Sequence, residues 1–142
     1  MDEIGYQIIG AAFEVHRQLG GFLYENTYEK AFAVELQLRG LKVETQHPIP
    51  VRYKGVQIND SIKADLLVED KIPIELKAVI RMSGIHLSQL MSYLRFGGFE
   101  YGYLINFWAE DFRTAMVPED LVMDKGIYRI INRLRLSGIL KP

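Results

Sequence analysis

Asp65, Glu75 and Lys77 are residue types that can do chemistry together, and their spacing suggests that they meet. On a β-strand, side chains two apart point to one face and lie roughly 6.5–7 Å apart. In the run Ile74-Glu75-Leu76-Lys77 the acid and the amine therefore share one face, and Ile74 and Leu76 the other. Residues 61–68 and 72–79 read as two β arms joined at Glu69-Asp70-Lys71. A turn centred on Asp70 sets Asp65 across from Glu75. Two carboxylates so placed repel each other, and a hard divalent cation between them removes that cost; Mg²⁺ prefers octahedral oxygen ligands. The nearby ammonium could help deprotonate a water or steady charge developing on a phosphate. The same alternation also fits a half-solvated sheet face, so the three residues alone leave both readings open.

Other elements must complete such a site. A helix over 84–96 places His86, Gln89 and Tyr93 on one face, with Leu87, Met91 and Leu94 on another. Gln89 and Tyr93 could hold a phosphate or a base; a wetted helix side is the plain alternative. Glu25, at the entry to a helix over 26–39, is a further candidate acid, or simply a charge near a helix N-terminus. In that helix Asn26 and Glu29 read as a cap, Tyr28, Phe32 and Leu36 as the apolar stripe, and Gly40 as the stop. An earlier helix carries the stripe Ile4, Ile8, Ala12, Val15 and Leu19 and stops at Gly20-Gly21. Short β-prone runs lie at 43–46, 49–53 and 56–58, and a buried strand at 101–107. Pro118-Glu119-Asp120 opens a short helix ending near Gly126, and 127–131 reads as a strand. The order α-α-β-β-β-α-β makes residues 1–142 a single α/β domain.

Composition narrows the chemistry. With 142 residues, 49% hydrophobic and 25% charged, the chain has the balance of one ordinary globular domain. It has no cysteine, which removes thiol nucleophiles, Cys-based zinc sites, iron–sulfur clusters and disulfides together. Seventeen basic residues against eighteen acidic ones give no global basic field, although a local patch would suffice for nucleic acid. Arg129, Arg133 and Arg135 fit a solvated element end better than a phosphate-tracking patch. The longest stretch without a charged residue, 82–94, falls short of the roughly 20 apolar residues of a membrane span. Met-Asp-Glu-Ile-Gly lacks the basic start of a signal peptide, so a cytoplasmic location with no membrane partner is expected. There is no G-x-S-x-G elbow, H-E-x-x-H pair or P-loop, and His16, His47 and His86 do not suit a zinc site.

Taken together, Asp65-(nine residues)-Glu75-Leu76-Lys77 resembles the bipartite motif of the PD-(D/E)XK nuclease superfamily, and Gln89-Leu-Met-Ser-Tyr93 is similar to the QxxxY motif of its exonuclease-like branch. More narrowly, residues 16–107 resemble the small bacterial group called GxxExxY proteins. The matching pieces include His16-Arg17-Gln18-Leu19-Gly20, Glu25-Asn26-Thr27-Tyr28-Glu29, Pro48-Ile49-Pro50-Val51, Tyr53-Lys54-Gly55 and Leu104-Ile105-Asn106-Phe107. Two departures stand out. Phe22 occupies the place of the glycine that names the group, and Gly21 just upstream suggests that the tight turn has moved there. Ala64, not proline, precedes Asp65, a position without chemistry.

The resemblance implies a central mixed β-sheet flanked by helices, a restriction-endonuclease-like core. It implies that Asp65, Glu75, the Leu76 carbonyl and Glu25 hold Mg²⁺ or Mn²⁺. Lys77 would position or activate the attacking water, and Gln89 with Tyr93 would orient the substrate and the lysine. The expected reaction is metal-dependent phosphodiester hydrolysis, with nucleic acid as partner, DNA ahead of RNA. Two other readings remain: a catalytically silent nuclease-fold protein that binds nucleic acid or a protein partner, and a module that forms a homodimer through Phe96, Phe99 and Tyr101.

Overall fold

The apolar stripe of the first helix, α1 (Glu3–Leu19), is buried at Ile8, Ala12 and Val15. The Asp2 carboxylate caps it by accepting the Gly5 N–H at 2.6 Å, and Gly20, at φ 69°, closes it. The second helix, α2 (Glu25–Leu38), is capped by the backbone of Tyr24 without a side-chain bond, so the expected Asn26–Glu29 cap does not form. Its entry is clasped from inside instead. Leu23 N–H donates to the Tyr28 hydroxyl (3.1 Å), which donates in turn to the Gly20 carbonyl (2.6 Å). The structure is a computed structural model describing residues 2–116 and 123–132, with backbone only at 59–61.

The three short β-prone runs merge into one long hairpin, β1 (Val43–Tyr53) with β2 (Val56–Val68). Pro48 and Pro50 do not break β1 because it is an edge strand: they pair with Lys63 and Ser61 and sit on the outward row, where no N–H is needed. β2 turns into β3 (Ile72–Lys77), antiparallel. The third helix, α3 (Gly84–Gly97), crosses over to β4 (Tyr101–Asn106), which runs parallel to β3. β5 (Asp111–Ala115) and β6 (Lys125–Ile131) complete a six-stranded sheet in the order β1-β2-β3-β4-β6-β5. The expected mixed sheet flanked by helices is what forms.

Each face of the sheet has its own core. Ile72, Ile74 and Leu76 pack with Tyr103 and Ile105 against α1 and α2, while Leu104, Tyr128 and Ile130 pack under Leu87, Leu90 and Leu94 of α3. Several expectations need correction. Met91 is 53% exposed and leaves the apolar face of α3 to Leu90. Tyr101 is buried, with its hydroxyl donating to Asp2, and Phe99 packs against the α3 core, so of the three aromatics suggested for a homodimer Phe96 alone is exposed, at 41%. Residues 118–120 lie outside the described residues, but Lys125 and Gly126 are strand, so no helix ends there. Arg129 lies over the Tyr101 ring at 4.3 Å, whereas Arg133 and Arg135 fall outside the described residues. β5 was not foreseen, because Asp111 and Arg113 give it the look of a loop.

Candidate active site

The hairpin between β2 and β3 turns where the sequence suggests. Glu69 and Asp70 both adopt left-handed backbone, and Lys71 N–H donates to the Val68 carbonyl at 3.0 Å. The pairs Val68↔Ile72, Leu67↔Pro73 and Leu66↔Ile74 are all centred on Asp70. Continued by one step, that register sets Asp65 opposite Glu75. Regular pairing stops just there. The Asp65 carboxylate takes the place of a ladder partner, its Oδ2 accepting the Leu76 N–H at 2.8 Å. It therefore sits in the seam between the strands.

Glu75 and Lys77 share a face, as the period of two requires, and form an ion pair with Lys77 Nζ 3.0 Å from Glu75 Oε2. The other carboxylate oxygen, Oε1, accepts the Tyr93 hydroxyl of α3 at 3.0 Å. Glu75 is only 3% exposed. Burial, then the charge of Asp65, pushes its carboxyl up to about 7, partly offset by Lys77 and Tyr93. The Tyr93 hydroxyl is driven far up as well, first by burial and then by the charge of Glu75.

The N-terminal half of α2 faces the same region. Glu25 is held above the usual carboxylate range, chiefly by burial, with Lys77 pulling it down and Asp65 pushing it up. Glu29, one helical turn later, is raised by burial and then by Asp65. Gln46 of β1 links the two sides. Its side-chain nitrogen donates to Glu29 Oε1 at 2.7 Å and to Asp65 Oδ1 at 3.2 Å. To do so, Gln46 adopts a φ of 51° in mid-strand, a left-handed conformation costly for a residue with a Cβ. Four carboxylates thus act on one another through charge, and two of them, Glu75 and Glu25, also feel the Lys77 ammonium. This is a net negative, oxygen-rich, partly buried place, the reverse of what an apolar sheet surface would hold.

A sequence profile of the PD-(D/E)XK nuclease superfamily matches residues 2–117. The chain belongs to that superfamily. No curated protein and no solved structure matches the chain. The mixed sheet and the three helices among the described residues are consistent with the PD-(D/E)XK, restriction-endonuclease-like fold. Membership points to a nuclease-like function and to nucleic acid as the substrate class. Among the described residues no helix is long and apolar enough to cross a membrane.

Members of the PD-(D/E)XK superfamily typically use divalent metals, and the donor set here suits a hard cation in its chemistry: carboxylates at Glu25, Glu29 and Glu75 that are raised first by burial and then by the charge of Asp65. Among the described residues, however, no three acidic or histidine side chains converge as a ready-made cage. Glu75 is turned to Lys77 and Tyr93, and Asp65 to Leu76 and Gln46. Of the residues singled out in the sequence, Glu75, Lys77 and Tyr93 are in direct contact, and Asp65 and Glu25 act on them through charge. Gln89 is exposed, with no hydrogen bond to the site among the described residues. Tyr93 reaches Glu75 and not the lysine.

Sequence reasoning missed Glu29, Gln46 and Asn106. Glu29 was legible, since it follows Glu25 by four residues and so shares its helix face. Asn106 was legible too, as the lone amide in an apolar strand. It is buried and splices the strand ends, its Oδ1 accepting from Val79 N–H (3.2 Å) and Trp108 N–H (3.1 Å). Gln46 left no signal, because nothing in its type announces a left-handed residue inside a strand.

Proposed function

We propose that this chain is a metal-dependent nuclease of the GxxExxY group that hydrolyses nucleic-acid phosphodiester bonds. The observation that carries the reading is the buried Glu75 carboxylate, held between Lys77 and Tyr93 with Asp65 hydrogen-bonded to the next residue's N–H at Leu76. Asp65, Glu75, the Leu76 carbonyl and Glu25 would hold Mg²⁺ or Mn²⁺. Such an ion supplies polarisation of a phosphoryl oxygen and an acidified water. Lys77, ion-paired with Glu75, would stabilise a phosphate oxygen and orient the attacking water. Tyr93 fixes the rotamer of Glu75 through its hydrogen bond. Gln89, exposed on the same helix, is free to meet substrate. DNA is the favoured substrate, and RNA is tested beside it.

The test is nicking of plasmid and of labelled single- and double-stranded DNA and RNA with Mn²⁺ or Mg²⁺. Cleavage is expected with the wild-type chain, and chelation, Asp65→Asn or Lys77→Ala should remove it. Asp65→Asn is preferred to Ala because its side-chain oxygen can still accept the Leu76 N–H. Intact substrates after long incubation would overturn the enzymatic reading and leave a silent member that binds through the same scaffold.

A further inference from the structure

The loop ahead of Glu25 holds an aromatic residue in an unfavourable conformation. Phe22 has φ 70°, so the left-handed turn has not moved to Gly21; it stays at the position where the resembling group has glycine. A left-handed backbone costs a residue with a Cβ on the order of 1–2 kcal/mol. Burial does not offset this, since Phe22 is 75% exposed. Its ring stands 5.5 Å from that of Trp108, with the planes at 59°. Trp108 is firmly placed: its indole N–H donates to the Leu23 carbonyl at 2.6 Å, and Asn106 accepts its backbone N–H. The two rings border a cleft of about 710 Å³ that Ile80, Arg81, Met82 and Met123 also line. The cleft adjoins the acidic site through the chain itself. Phe22 comes three residues before Glu25, Arg81 four after Lys77, and Asn106, also in its wall, pairs with Lys77 in the sheet register.

We propose that Phe22 and Trp108, in contact with each other, form one aromatic wall of a stacking slot, the adjoining cleft, for a nucleobase of single-stranded nucleic acid, next to the phosphate that is cut. This rests on the nuclease reading and names its substrate class. The lining is aromatic, thioether and aliphatic, which suits the flat face of a base. Arg81 is the cation beside it, placed for the phosphate to which that base is attached. Glu110 and Asp124 on the rim disfavour a tract of sugar–phosphate backbone, so the base is what enters. A paired base already stacks on both sides and has no free face to offer; an unpaired one does. Tyr24, 84% exposed two residues further on, offers a second ring for the next base.

Trp108 is the sole tryptophan, so its emission reports on the slot directly. The experiment titrates the Asp65→Asn chain, which leaves substrate uncut, with a fluorescein-labelled single-stranded oligonucleotide, an abasic strand of equal length, and a blunt duplex. Anisotropy reads binding and Trp108 emission reads stacking. Quenching is expected from the base-bearing strand and not from the abasic strand or the duplex. Phe22→Gly should weaken single-strand binding about 5- to 150-fold, the range for losing one stacked base. It should also melt at or above the temperature of the parent, because glycine relieves the strained φ; a loss of binding is then not a loss of fold. Phe22→Trp should retain affinity. Binding by anisotropy with unchanged Trp108 emission and full affinity in Phe22→Gly overturns the slot and leaves the nuclease reading standing. Equal quenching by duplex or abasic strand also overturns it. Base-dependent quenching by a chain whose wild type never cuts supports the slot and removes the nuclease reading, and absence of any binding overturns both.

Discussion

The two ends of the β2–β3 hairpin are built on opposite terms. At the closed end Leu66, Val68, Ile72 and Ile74 are paired in register and fully or almost fully buried in apolar company. At the open end, one step further, Asp65 interrupts the ladder, Glu75 is buried beside Lys77, and carboxylates from α2 press in. The closed end gains stability from burial; the open end gives some up to keep charges close. The contrast teaches that one register can serve both purposes, because a period of two carries apolar residues to one face and the acid–amine pair to the other.

The sharpest way to probe the contrast is to remove the open end's charge. Lys77→Ala should lower the cleavage rate by about 10²–10³-fold or more, with a melting temperature close to that of the wild type. Equal losses of activity and fold would erase the distinction. Leu66→Ala should act the other way. It should cost about 3 kcal/mol of unfolding free energy in urea, as a buried leucine truncation does, while folded protein keeps its activity.

The pH dependence of stability separates the ends further. Glu75 has a folded pKa of about 7 against an ordinary 4.5, so the folded state holds this proton more tightly than the unfolded chain. The resulting stability is fully present below about pH 4.5 and is lost as pH rises through 7. Wild type should therefore lose roughly 1–3 kcal/mol between pH 5 and 8 that Glu75→Gln does not lose. Mn²⁺ at pH 8 should restore it in wild type and not in Asp65→Asn. A pH profile unchanged by Glu75→Gln would mean that the carboxylate is solvated. The smallest effect belongs to the loop clasp: Tyr28→Phe should cost about 1 kcal/mol, the worth of its hydrogen bonds at Gly20 and Leu23, and it reads whether that loop is held independently of the charges.

Much of this was legible in the residues. The hairpin, its centre at Asp70, the shared face of Glu75 and Lys77, and α3 all follow from local period and turn chemistry, which act over a few residues. Whatever depends on distant partners was not. The left-handed Gln46 is held by Glu29 and Asp65, seventeen and nineteen residues away, and no local preference encodes such a bridge. The α2 cap failed for a similar reason, since Tyr28 already secures the entry that Asn26 would have served. Phe22 shows the reverse case: a left-handed turn stands at a residue whose type does not announce one.

The outward prolines of β1 have a consequence for how copies of this molecule meet. Pro48 and Pro50 remove two N–H groups from the row that faces away from β2. A neighbouring strand approaching that border would leave two of its own carbonyls without donors, so the sheet resists growing from copy to copy into an aggregate. Should the proposed nuclease activity hold, copies gathered along one nucleic-acid strand would stay dispersed by the same means.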